Sequence, residues 1–403
     1  MSAADPAPLA KPGRAGENAP MRTALVLGAG IMGLSTAWAL SRAGVAVRVI
    51  EQDEVPNPRG SSVDDHRLIR HAYGTQAGYM RMVDPAYAAW EMLFREAGER
   101  PYVATGVLAL AETTGTWLQD SRAALRGDAR DVEDLTAAQV AAAYPFLVPE
   151  GIHDAFRLGP GGVLLARDIV RMLARLLRAR GVPIERACAT GFDADRATLT
   201  LAGGATLEAD LLVLAAGPWN TRLVPGLAAR VRPTRQVVVR LAPPPGLAEA
   251  WARAPMLLDL AEDGGFYAVP PVAGTPLKIG DHRFAVTVDP DASREVSPAE
   301  AEAILDLARH RIRDLESYRV LSAAACWYDV EPGERFILEK AGARAFVMSG
   351  FSGHGFKFGP VLGLALARAA RDPALAGALA AWAAGLAPPA PGLLDDVTED
   401  TTA

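Results

Sequence analysis

Residues 23–52 read TALVLGAGIMGLSTAWALSRAGVAVRVIEQ, and this stretch limits the fold more than any other in the chain. An apolar run is followed by a glycine turn, a helical stretch that stops at Gly44, and a second apolar run closing on Glu51. That order is a βαβ unit. Gly28, Gly30 and Gly33 make the pattern GxGxxG at the strand-to-helix junction, where missing side chains permit a tight turn, close approach of a pyrophosphate and close helix packing. The unpaired N–H groups and the dipole of the helix start favour an anion there, and Glu51 at the end of the second strand can accept hydrogen bonds from ribose hydroxyls. An acid rather than an arginine disfavours a ribose 2'-phosphate. The motif serves NAD and FAD alike.

Later segments extend the same plan. LARDIVRMLARLLRARGVPIE places Ile169, Leu173, Leu176 and Leu177 on one face of a helix ending at Gly181, and ATLTLAGGATLEADLLVLAAGPW reads as a hairpin leading into a buried strand. Segments 89–159 and 225–325 are richer in isolated strands, prolines and aromatics, and are expected to form a second, mixed domain. The dinucleotide-binding domain is then discontinuous, over 21–88, 160–224 and 326–388, with flexible tails at 1–20 and 389–403.

Composition closes off other classes. Half of the 403 residues are hydrophobic, 22% are charged and the net charge is −6, which gives no basic surface for nucleic acid. The first twenty residues lack the apolar core of a secretory signal, and no run reaches the roughly 18 apolar residues of a spanning helix. The only two cysteines, Cys188 and Cys326, suit a reducing compartment, so a cytoplasmic location without membrane attachment is expected. No metal site is expected.

Two stretches carry chemistry. RGSSVDDHRLIRHAYG crowds Arg67, Arg70, His66 and His71 beside Asp64 and Asp65. On a helical turn, Arg67 and Arg70 would share a face and could hold a carboxylate; the plainer reading is a solvated charged turn paired with the two aspartates. SGFSGHGFKFGP sets Gly350, Gly353, Gly355 and Gly359 around His354 and Lys357 ahead of an apolar helix, an arrangement that suits an anionic ligand or an electron-rich ring.

GAGIMG, DDHRLIRHAYG, YAVPPVAGTPLKIGDH, CWYD and SGFSGHGFKFGP, in this order and at these separations, resemble the monomeric sarcosine oxidase and N-methyltryptophan oxidase family of flavoproteins, over residues 21–390. The resemblance implies an α/β fold, with a Rossmann-like FAD-binding domain and a mixed β-sheet substrate domain. It implies FAD held by Gly28, Gly30, Gly33, Glu51, Ser61, Arg67, Gly355 and Lys357, with Cys326 joined covalently to the flavin and Cys188 a packed residue. It further implies that Arg70 and Lys357 clamp a substrate carboxylate and that Arg67 and Lys278 lie near the flavin ring, Lys278 serving oxygen activation. Tyr267, His282, Tyr328, Gly353 and His66 would border the substrate. The implied activity is oxidation of a secondary amino acid, N-alkyl or cyclic, to an imine by hydride transfer, with O2 reduced to H2O2 by a monomeric enzyme. Sarcosine-specific members carry histidine at the position of Val63 and threonine at that of His66. A flavin dehydrogenase with another acceptor, a nicotinamide enzyme and a non-catalytic flavin protein remain as alternatives.

Overall fold

The computed structural model describes residues 21–112, 116–260 and 265–398; the expected N-terminal tail lies outside them. Strand β1 (Thr23–Leu27), helix α1 (Ile31–Arg42) and strand β2 (Ala46–Glu51) form the βαβ unit, with β1 and β2 parallel. They lie in a six-stranded sheet in the order Ile337–Gly342, Ala345–Ser349, Leu211–Leu214, β1, β2, Ile184–Arg186. All neighbours are parallel except the first pair, an antiparallel edge. Every residue of β1 is buried, as a parallel strand covered on both faces requires. Helix α1 is buried from Ile31 to Leu40 because the helices Ala166–Ala179 and Gly359–Arg371 pack against it.

An eight-stranded mixed sheet forms the second layer system. Its strand Arg319–Val330, which carries Cys326, pairs antiparallel with Arg232–Ala242, and that strand pairs with Leu277–Gly280, which carries Lys278. A small three-stranded sheet is built on strand β3 (His66–Arg70), which pairs antiparallel with Gly161–Leu165. The hairpin expected before the buried strand is present as Thr198–Leu201 and Thr206–Glu208. None of the helices described is long and apolar enough to cross a membrane.

Three expectations need correction. The Arg67–Arg70 stretch is a strand rather than a helical turn. The two-residue period therefore groups His66, Leu68 and Arg70 and separates Arg67 from Arg70. The chain from 389 onward was expected to be loose, yet Leu393 and Val397 are buried against the first domain's core, so this segment packs as far as Val397. Cys188, expected as a packed residue, is exposed, and no disulfide joins it to Cys326.

Candidate active site

The N-cap of α1, Gly30, has no side chain and no acid lies in the helix's first turn; the Ile31 N–H donates to Ser62 Oγ at 2.9 Å, and the helix start borders a groove of about 280 Å3. Gly28, Gly30, Glu51, Ser61 and Gly355 line it. Glu51 is buried at the groove wall, its carboxylate accepting from the Ala29 amide at 2.7 Å and from Asn57 Nδ2 at 2.8 Å. Gly33 makes the turn possible: a Cβ there would lie 1.9 Å from the Gly28 carbonyl oxygen. A glycine-lined helix start and an acid at the next strand's end form the donor and acceptor set of an adenine dinucleotide.

At its far end the groove meets a second cavity of about 450 Å3, and Arg67, Tyr328, Gly353 and Phe356 border both. Gly353 sits at φ +77° with the Tyr328 ring against it, so a Cβ would fall 2.1 Å from that ring. His66, Arg70, Tyr267, Lys278, Cys326 and Lys357 all face the second cavity, with Trp117, Leu258 and Phe266 supplying apolar wall. His282 stands half-exposed, its Nε2 3.3 Å from the Glu334 carboxylate.

The buried charges of this chamber fall into two groups. In the first, Lys278 Nζ donates to Asp64 at 2.7 Å and to the His66 carbonyl at 3.1 Å, Arg67 donates to Asp64 at 2.8 Å, and Arg240 donates to it at 2.6 Å. Burial alone would raise the Asp64 carboxyl, but Lys278, Arg67 and Arg240 together hold it well below the usual carboxylate range. In the second group, Arg70 donates to the Ala72 carbonyl and stacks on Tyr73 and Trp117, and Lys357 Nζ donates to Tyr73 Oη at 2.7 Å and to the His354 carbonyl at 3.0 Å. Lys357 is 4% exposed. Neither cation forms an ion pair with a carboxylate among the described residues, though Glu334 lines the same chamber and its charge acts on Arg70; burial pushes both side chains down in pKa, Lys357 well below its ordinary value with Arg70 adding to the effect.

His66 is a neutral ring. Burial, and next the charge on Lys278, pushes its pKa down to about 3. The Thr275 hydroxyl donates to the Val272 carbonyl, so it accepts from His66 Nε2 and leaves Nδ1 a buried acceptor with no partner among the described residues. Cys326 faces the chamber, where burial raises its thiol pKa against the pull of Arg67.

A groove shaped for a dinucleotide that opens into a cation-bearing chamber is the layout of a flavin enzyme, and comparison with known proteins decides the matter. The family model described as FAD dependent oxidoreductase (DAO) matches residues 23–369. The chain belongs to this family of FAD-dependent oxidoreductases. It is 29% identical over 358 residues to N-methyl-L-tryptophan oxidase of Yersinia pestis (strain Pestoides F), covering 86% of this chain and 94% of that protein. Among solved structures it is similar to NikD, an unusual amino acid oxidase essential for nikkomycin biosynthesis, with TM-score 0.74 and 22% identity over 87% of this chain and 95% of that one. L-proline dehydrogenase from P. horikoshii is also similar, with TM-score 0.74 and 18% identity over 87% and 94% of the two chains.

In this FAD-dependent oxidoreductase the residues picked out by sequence divide between the two cavities. Gly28, Gly30, Glu51, Ser61 and Gly355 border the groove; Arg67, Tyr328 and Gly353 border both cavities; Arg70, Tyr267, Lys278, His282, Cys326, Lys357 and His66 border the chamber alone. Gly33 supports the turn from behind. Lys357, expected at the cofactor as well as the substrate, is found on the chamber side. Asp64 and Asp65 were read only as partners in a solvated turn, but Asp64 is buried between three cations that come from three strands or loops. Tyr73, Trp117 and Glu334 went unassigned. Tyr73 lies in a quoted motif, whereas nothing in the sequence brings Trp117 to this wall.

Proposed function

We propose that this enzyme oxidises a secondary amino acid, N-alkyl or cyclic, with the substrate carboxylate held between Arg70 and Lys357. The observation that carries this reading is the pair of buried cations with no ion-paired carboxylate among the described residues, because a buried charge is costly until it is paired. The pairing has geometry behind it: Arg70 offers a planar fork and Lys357 a point charge. Gly28, Gly30, Gly33 and Glu51 would hold the adenosine and pyrophosphate of FAD, and Arg67, Tyr328 and Gly353 would border its ring. When bound, FAD supplies the two-electron acceptor for a hydride from the substrate carbon next to nitrogen. Anchoring the carboxylate fixes that carbon relative to the groove, a positioning effect worth several kcal/mol. Arg70 and the desolvation of the chamber disfavour an ammonium form of the substrate, leaving the nitrogen lone pair free to assist. The His66 Nδ1 lone pair can accept an N–H. Water adds to the resulting iminium and releases a carbonyl and an amine.

The chamber volume and the wall of Trp117, Leu258, Phe266 and Tyr267 favour a substrate with a bulky apolar group over a minimal N-methylated glycine. With O2 as acceptor, two electrons and two protons yield H2O2, and Lys278 would stabilise charge building on oxygen. A second reading, an acceptor other than O2, is favoured by the ion pair that Asp64 makes with Lys278. We further propose that the division between the FAD and substrate domains follows the two large sheets and that Cys326 tethers the flavin; yellow colour should then stay with the acid-precipitated protein and be lost in Cys326→Ala.

The test is oxidation of an N-methyl aromatic amino acid beside its primary amide. The carboxylate clamp requires kcat/KM for the amide to be lower by about a hundredfold or more; equal rates would remove Arg70 and Lys357 from substrate binding.

A further inference from the structure

Asp64 has no task in the oxidation itself, yet four donors converge on its carboxylate. One oxygen accepts from Lys278 Nζ at 2.7 Å and Arg67 Nη1 at 2.8 Å, the other from Arg240 Nη2 at 2.6 Å and the Asp65 amide at 2.8 Å. Arg240 and Lys278 are directly opposed on neighbouring antiparallel strands, where two like charges repel. Asp64 enters from outside that sheet, from the segment leading into β3, and lies between them. Asp65 takes Arg240 Nε at 2.9 Å. Asp65 also pairs with the more exposed Arg167 at 3.2 Å, so four cations meet two carboxylates, an excess of two positive charges.

Little of that charge is free to act. Both terminal nitrogens of Arg67 are spent on Asp64 and on the carbonyls of Ser61, Val63 and His66. Lys278 is 2% exposed and donates to Asp64 and the His66 carbonyl. An ammonium ion-paired at 2.7 Å presents a dipole to its surroundings, and the field of a dipole falls with distance faster than that of a free charge.

We infer that Asp64 is a positioning residue that holds Lys278 in an ion pair on the chamber wall beside Arg67, and thereby selects the electron acceptor against O2. Passing two electrons and two protons to O2 makes H2O2 through oxygen species that concentrate negative charge on two small atoms, where a free cation matters most. Passing the same two electrons and two protons to a quinone makes a hydroquinone whose charge is spread over a ring, so it depends less on Lys278. The inference rests on the family's cofactor and on the flavin ring lying beside Arg67, Tyr328 and Gly353; it is independent of which amine is oxidised.

The experiment therefore uses purified holoenzyme reduced photochemically, without substrate. Two quantities are read: the rate of reoxidation by O2 against that by a soluble quinone, and the affinity of the oxidised flavin for sulfite, an anion whose addition bleaches the flavin. Asp64→Asn should raise both the O2 rate and the sulfite affinity by about tenfold or more, the effect of about one unpaired charge several ångströms away. The quinone rate should move less than threefold, and Asp64→Glu, which keeps the charge, should behave as the native protein. If either the O2 rate or the sulfite affinity stays within twofold in a folded Asp64→Asn protein, the inference is overturned, even where its melting temperature falls. The paired variant Asp64→Asn/Lys278→Gln keeps the charge balance and serves if the single variant does not fold. It should match the native O2 rate within about threefold, and a tenfold loss would show that Lys278 acts at full charge beside Asp64 and overturn the inference. Native protein that reoxidises normally but is bleached by no amine would overturn the proposed substrate and leave the Asp64 result standing.

Discussion

The groove and the chamber adjoin across Arg67, Tyr328, Gly353 and Phe356, yet they are built on opposite principles. The groove is made largely of backbone: a helix start with a glycine at its N-cap, glycines that bring main chain close, and a buried acid, Glu51, already held by the Ala29 amide. The chamber is made of side chains, with Arg70, Lys278 and Lys357 brought together from separate elements and buried. Backbone sites are written in contiguous residues and tolerate almost no change at their glycines. Side-chain sites are assembled by the tertiary fold, and their energetics depend on which charges are left unpaired.

Substitutions should separate the two regions. Gly33→Ala strikes the groove hardest, because its Cβ meets the Gly28 carbonyl oxygen at 1.9 Å and backbone cannot give way cheaply. A loss of about 3 kcal/mol or more in stability, with protein recovered free of FAD, is expected from denaturant unfolding and the visible spectrum; yellow protein of native stability would mean the turn is looser than drawn. In the chamber, Arg70→Ala should weaken a bound amino acid carboxylate by about 2 to 3 kcal/mol and leave FAD content intact. Loss of flavin as well would show that the two regions are not separable there.

Asp329 lies where both designs meet, lining the groove while its buried carboxyl accepts from Ser349 at 3.1 Å. Burial pushes its pKa up to about 6 from 3.8. The folded state therefore binds this proton more tightly than the unfolded state. The resulting stability is complete below pH 4 and is lost as pH rises through about 6. Melting temperatures of Asp329→Asn should fall less than those of the native protein between these pH values, a difference of about 2 kcal/mol. The smallest effect concerns Lys357, whose pKa burial holds well below the ordinary lysine value in the free chamber. A bound carboxylate would restore its proton. Above the free-state pKa, affinity for a non-oxidisable carboxylate should therefore fall by about tenfold per pH unit, and Lys357→Met should abolish the slope; parallel slopes would remove Lys357 from the clamp.

The same contrast explains what the sequence made legible. β1, α1, β2 and the glycine turn follow from residues adjacent in the chain, so their reading survives intact. The strand β3 does not: HRLIR carries charge at positions that suit a solvated turn, and only its pairing with Gly161–Leu165 makes it a strand. That pairing puts Arg70 with His66 rather than with Arg67. Asp64 looked solvated because its cations Lys278 and Arg240 lie more than 170 residues away in the chain. Leu393 and Val397 follow a run rich in alanine and proline that reads as loose chain, and only the core they cover reveals them.

The most direct measurement mixes the holoenzyme anaerobically with secondary amino acids of increasing apolar bulk, each beside its decarboxylated amine, and follows bleaching of the flavin. The account predicts rapid bleaching by at least one bulky N-alkyl or cyclic amino acid and bleaching slower by about a hundredfold with the matching amine. Equal bleaching by acid and amine, or none by any member of the series, would contradict it.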